Sequence, residues 1–95
     1  MAKKEQALES KIQASIIQWL KENKHMVFRM LEVTPNGTPD LLIITMHGNV
    51  WLEIKQPGGR LSPAQEMIHY KLRLNNQKVF TVSSLEMVKQ IMKDL

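Results

Sequence analysis

The chain has 95 residues, 43% of them apolar and 23% charged, which excludes a disordered segment and fits one globular domain over 1–95. Lys and Arg outnumber Asp and Glu by 13 to 9, and the absence of cysteine excludes disulfides, thiolate metal sites and cysteine nucleophiles. No apolar run approaches the roughly 20 residues that cross a membrane, and Met1–Glu5 leads into an amphipathic stretch rather than a signal peptide; no membrane partner is expected, and the expected setting is cytoplasmic.

Leu8, Ile12, Ile16, Trp19 and Leu20 recur at spacings of three and four, which predicts an amphipathic helix over 5–24. Residues 26–33 are β-branched, aromatic and loosely alternating and predict a strand. Thr34-Pro35-Asn36-Gly37 is a turn sequence. Residues 40–46 predict a second strand, apolar enough for burial on both faces. His47-Gly48-Asn49 reads as a tight turn and 50–55 as a third strand, which makes the second and third strands a hairpin. Residues 56–60, Gln-Pro-Gly-Gly-Arg, read as a loop.

Ser62-Pro63-Ala64-Gln65 is a helix start, with Ser62 as N-cap, Pro63 in the first turn and Gln65 closing a capping box. That helix is expected to end near Leu74, with Asn75-Asn76 able to form a left-handed cap. Residues 78–82 predict a fourth strand, and Ser83 with Glu86 a second capping box. The last helix gathers Leu85, Val88, Met92 and Leu95 on one face. The order α-β-β-β-α-β-α predicts an α/β fold, a small mixed sheet flanked by helices.

The charge is unevenly placed. Lys3, Lys4, Lys11, Lys21 and Lys24 lie in the first quarter, and Arg60, Lys71, Arg73, Lys78, Lys89 and Lys93 in the last third. Between them Glu32, Asp40 and Glu53 outweigh Arg29 and Lys55. Acidic groups within a basic surround suit a metal site that must also attract a polyanion.

The chemistry concentrates in Gly37-Thr38-Pro39-Asp40 and Trp51-Leu52-Glu53-Ile54-Lys55. Alternation along a strand sends Trp51, Glu53 and Lys55 to one side. Pairing of the hairpin brings Asp40, at the start of the second strand, beside Glu53. Two carboxylates about 5 Å apart repel by roughly 3 kcal/mol at an effective dielectric of 20, so a cation should compensate: Lys55, a divalent metal, or both. Hard oxygen donors favour Mg2+ or Mn2+. Glycines 37, 58 and 59 would leave room for a bulky ligand. His25, His47 and His69 show no zinc-ligand spacing, and no Gly-rich phosphate loop is present, so no nucleotide cofactor is expected.

Gly-Thr-Pro-Asp, Glu-Ile-Lys after it, Leu-Ser-Pro-Ala-Gln and a glutamate on the first helix, in this order, resemble the PD-(D/E)XK nuclease superfamily. Within it the chain resembles a VRR-NUC domain, the virus-type replication-repair nuclease, in its short standalone form of viral or phage type. The resemblance runs from Leu8 to about Val88. It implies a restriction-endonuclease-like core and metal-dependent hydrolysis of DNA that leaves 5′-phosphates. It implies that Asp40, Glu53 and the backbone carbonyl of Ile54 bind the metal, and that Lys55 orients water or stabilises the phosphorane. Glu9 would be the acidic residue of the first helix, and Gln65 the glutamine that reaches toward the site. Lys11, Arg60, Tyr70 and Arg73 are candidate DNA contacts.

Standalone relatives of this kind resemble Holliday-junction resolvases, so the expected partner is branched DNA and the expected assembly a homodimer with two active sites. The apolar last helix, with Leu85, Val88, Ile91, Met92 and Leu95, offers a dimer surface. Two other readings compete: a non-catalytic DNA-binding module with the same fold, and an exonuclease or nuclease subunit of a larger repair or replication machine.

Overall fold

The computed structural model describes residues 2–31 and 34–95. The elements follow the order α1 (Ala2–Glu22), β1 (Met26–Arg29), β2 (Leu41–Thr45), β3 (Gly48–Ile54), α2 (Pro63–Leu74), β4 (Lys78–Val82) and α3 (Leu85–Lys93). This is the expected α/β arrangement. The sheet has the order β1-β2-β3-β4. β1, β2 and β3 pair antiparallel, and α2 then carries the chain over so that β4 pairs parallel to β3. Among the described residues no helix is long and apolar enough to cross a membrane.

Alternation along the strands sorts the two faces of the sheet. Leu41, Ile43, Val50, Leu52, Ile54 and Val82 form one buried face with Ile16 and Leu20 of α1 and Val88 of α3. Trp51, Glu53 and Val79 point to the opposite face, which α2 covers. Trp51 holds the entry to β4 there, its indole N–H donating to Gln77 Oε1 at 3.1 Å.

Several boundaries differ from the sequence reading, each for a local reason. Leu8 stays 43% exposed, so the buried stripe of α1 begins only at Ile12. The helix closes at Lys24, as expected, and that residue adopts φ 64° although it is not glycine. Lys24 N–H donates to Lys21 C=O and His25 N–H to Leu20 C=O, the two bonds of a Schellman ending. At the end of α2 the same pair of bonds forms around Asn76, at φ 60°, as expected.

β1 stops at Arg29, short of the predicted 33, and residues 32 and 33 lie outside the described residues. Its last ladder bond runs from Met30 N–H to Asp40 C=O. The partner chain continues backward into Pro39, which has no N–H to give. The hairpin turn is Met46-His47, one residue earlier than expected, because Gly48 at φ 119° already pairs with Thr45. Thr45 Oγ1 seals it, accepting from His47 N–H and donating to Gly48 C=O. β2 buries Leu41 and Ile43 fully but Leu42 and Ile44 only in part, so just one of its faces is closed.

The N-cap of α3 is Ser84, whose hydroxyl accepts from Met87 N–H; the expected box between Ser83 and Glu86 does not form. Ser83 instead turns its N–H and hydroxyl toward the Met87 sulfur. The apolar face of α3 is turned inward: Val88 is buried, and Leu85, Ile91, Met92 and Leu95 pack against the core. The stripe expected to serve as a dimer surface is therefore used within the fold. Lys89 adds a cation–π contact 5.8 Å above the Trp19 ring.

Candidate active site

Strand register brings the two carboxyl groups together. Leu41 lies opposite Leu52, so Asp40 and Glu53, the next residues along each strand, meet at the end of the hairpin away from its turn. Asp40 Oδ2 accepts a 2.7 Å hydrogen bond from the backbone N–H of Ile54. That bond fixes the Asp40 side chain across the strand end. Glu53 is 2% exposed, and Ile54 beside it is equally buried.

Glu53 is pushed up from 4.5 to about 9. Burial is the largest cause, followed by the hydrogen bond to Asp40 and the repulsion of its charge; Lys55 opposes the rise, and Glu9 adds to it. Without a cation Glu53 is therefore favoured in its protonated form at neutral pH.

The capping box of α2 forms as expected. Ser62 Oγ accepts from Gln65 N–H, and Gln65 Oε1 accepts from Ser62 N–H at 2.8 Å. The same side chain also turns its amide Nε2 to Glu53 Oε2 at 3.3 Å.

Two solved structures share this architecture. One, described as a VRR_NUC domain, superposes with a TM-score of 0.79 at 24% identity, covering 90% of this chain and 95% of that one. Another, a VRR_NUC domain protein, gives 0.77 at 18% identity over 90% of this chain and 84% of its own. This chain has the VRR_NUC fold. No protein-family model matches it, and no curated protein does so by sequence.

In this VRR_NUC fold the remaining residues singled out by sequence fall into two groups. Glu9 is half-buried on α1, close enough to Glu53 for its charge to act there. Lys55 is half-buried just past β3, and its backbone N–H donates to Val82 C=O. Lys11 and Arg60 are exposed and pair with none of the described acidic residues. Tyr70 is 59% exposed on the outside of α2. Arg73 donates to Val79 C=O at 2.9 Å and so ties α2 to β4.

Gly37 leaves no room for a ligand. A side chain there would collide with the Ala64 carbonyl, because the 34–38 turn sits directly on the start of α2. Gly58 alone of the three glycines faces open space, while Gly59 is hemmed in by the Gln56 carbonyl.

Sequence reasoning passes over His69. It is 1% exposed on α2, with Nε2 3.5 Å from Glu53 Oε1. Burial, and then the positive charge of Arg73, hold its imidazole below its usual range. The signal available in the sequence is its spacing: His69 follows Gln65 by four residues and shares its helix face.

Among the described residues no three His, Asp or Glu side chains converge as a ready metal cage. Two hard carboxyl groups do converge, and Oε1 of Glu53 is buried without a hydrogen-bond partner. This donor set fits an ion of the Mg2+ or Mn2+ kind, which keeps several of its own waters.

Proposed function

We propose that this chain is a divalent-metal-dependent endonuclease that hydrolyses DNA phosphodiester bonds, with a Holliday-junction resolvase-like preference for branched DNA. The observation that carries the reading is the meeting of Asp40 and Glu53 at a strand end, with Oε1 of Glu53 buried and unpartnered and Lys55 two residues farther along.

Asp40 and Glu53, with the backbone carbonyl of Ile54, would hold Mg2+ or Mn2+. Such an ion lowers the pKa of a bound water and neutralises charge on the scissile phosphate. The ammonium of Lys55 supplies a mobile cation on the same side of the strand as Glu53, able to orient the attacking water or to donate to a phosphate oxygen as charge develops. Glu9 adds negative charge toward the cation. Gln65 steadies Glu53 through its amide. Lys11 and Arg60 would meet the phosphate backbone, where their freedom from internal pairing leaves both charges available. Symmetric incision of a junction calls for two such sites, hence a homodimer.

The test is cleavage of a labelled four-way junction, a flap, a duplex and a single strand by the purified chain with Mg2+ or Mn2+. The expected result is incision of the junction with 5′-phosphate ends. Full activity in EDTA, or in Glu53→Ala, would overturn the metal-nuclease reading. Equal cleavage of duplex and junction would remove junction resolution alone.

A further inference from the structure

We propose that His69 is a positioning residue: its imidazole, through Nε2, fixes the Oε1 atom of Glu53, while Gln65 fixes Oε2. The proposal rests on the reading of Glu53 as a metal-binding carboxylate and deepens it.

Three buried polar atoms lie unpartnered together: Oε1 of Glu53 and both ring nitrogens of His69. Two of them, Nε2 and Oε1, face each other at 3.5 Å. An imidazole this deeply buried with neither nitrogen bonded is an expensive occupant of a packing position, where an apolar side chain would serve better. Among the described residues, its Nε2 faces Glu53 Oε1.

Helix α2 points the same way. Gln65 and His69 are one turn apart on the face of α2 that looks onto the sheet, and the Gln65 amide reaches the other oxygen of the same carboxyl at 3.3 Å. α2 thus addresses Glu53 with one potential donor per oxygen. Each oxygen retains a further lone pair. Once Glu53 is ionised, the His69 contact becomes a charge-assisted hydrogen bond, which is shorter and stronger than a neutral one. Partners of this kind set the orientation of a ligating carboxylate, and through it metal affinity.

The experiment is calorimetric titration of the purified chain with Mn2+ alone, without DNA, for wild type, Glu53→Gln, His69→Phe and His69→Gln. His69→Phe keeps the bulk without a donor, and His69→Gln places an amide N–H near the position of Nε2. The expected result is loss of binding in Glu53→Gln, affinity weaker by about 10- to 100-fold in His69→Phe, and recovery of most of it in His69→Gln. Wild-type affinity in His69→Phe, or equal losses in both His69 variants, would overturn the proposal. Absence of binding by wild type, or undiminished binding by Glu53→Gln, would instead overturn the metal reading beneath it. Nitrogen-15 spectra of the wild-type ring with saturating Mg2+, where Glu53 is ionised, give a readout that needs no variant: a proton on Nε2 is expected, and a proton on Nδ1 alone overturns the proposal. If His69→Phe does not fold, that tautomer decides.

Discussion

Gln65 joins two structures with one amide group: its oxygen accepts from Ser62 N–H and closes the start of α2, while its nitrogen lies 3.3 Å from Glu53 Oε2. Capping and reaching the site are therefore not competing explanations of this residue. The same geometry that begins the helix aims the amide, so the helix start and the carboxyl pair are held in fixed relation.

Gln65→Ala is expected to lose both functions. Removal of the reciprocal cap should lower stability by about 1 kcal/mol, and turnover should fall with it. Gln65→Glu keeps an acceptor for Ser62 N–H but turns a carboxylate toward Glu53, so above pH 9, where Glu53 ionises, it should melt lower without metal, and with metal it should cleave poorly. Wild-type stability together with wild-type turnover in Gln65→Glu would show that the residue is a cap and nothing more.

Asp40 separates charge from shape. Asp40→Ala removes the charge that repels ionised Glu53 but leaves the buried N–H of Ile54 without its acceptor, a loss of about 1–3 kcal/mol. Relief of repulsion alone would let the alanine variant hold or gain stability, and the Ile54 bond reverses that expectation. Asp40→Asn keeps the acceptor and removes the charge, so its metal-free form should melt at or above wild type while cleavage is lost. Urea melts and the junction assay on both variants check this; an alanine variant as stable as the asparagine one would show that the Ile54 bond contributes little.

The metal-free protein should lose stability as pH rises. Glu53 stays protonated in the folded chain up to about 9, whereas in the unfolded chain it ionises at its ordinary 4.5. The stabilisation is fully present below 4.5 and is lost as pH rises through about 9, with a slope of up to about 1.4 kcal/mol per pH unit. His69 acts in the opposite sense: its stabilisation is present above 6.5 and is lost as pH falls from there. Between pH 7 and 9 the His69 contribution is constant, so the Glu53 slope should show. Denaturation in EDTA at both values should find the protein weaker at pH 9, with the difference flattened in Glu53→Gln. An unchanged slope in that variant would assign the dependence to other groups.

Lys24→Gly should stabilise the fold. Lys24 sits at φ 64°, a left-handed conformation that glycine adopts freely and a lysine does not. Relief of about 1 kcal/mol corresponds to a rise of about 4–8 °C in Tm for a domain of this size. A thermal scan of the single variant checks it, and a lower Tm would mean that the lysine side chain contributes more than the strain removes.

The elements and the carboxyl pair were legible because they follow from periodicity. Alternation places Leu41 opposite Leu52, and Asp40 beside Glu53 comes with that register. What was not legible depends on tertiary placement. The helix end at Lys24 was expected, but its left-handed conformation falls on a residue type that does not announce it. Gly48 suggests a turn centre but opens a strand. His69 has no metal-ligand spacing, and its importance emerges only when Gln65 shows which face of α2 meets the sheet. Arg73 reads as a surface cation until β4 is seen to place the Val79 carbonyl beneath it.

The basic flanks should govern how the protein meets DNA. The acidic centre at Asp40 and Glu53 would repel phosphates unless neighbouring cations and the metal offset it, so affinity should come mostly from Lys and Arg outside the site. Lys11 and Arg60 are exposed and free of partners among the described acidic residues, and nothing in their setting reads a base edge. Junction binding should therefore weaken steeply with salt and depend little on sequence. Replacing Lys11 and Arg60 together by Ala should reduce the slope of log affinity against log salt by about 2, one for each phosphate left without its cation. Fluorescence anisotropy with a catalytically silent Asp40→Asn background measures this without cleavage. Sedimentation of the same protein, free and junction-bound, is expected to give a dimer; a monomer in both states would rule out the paired-site arrangement. An unchanged salt slope in the double variant would move phosphate binding to other residues, with the carboxyl pair and its proposed chemistry untouched.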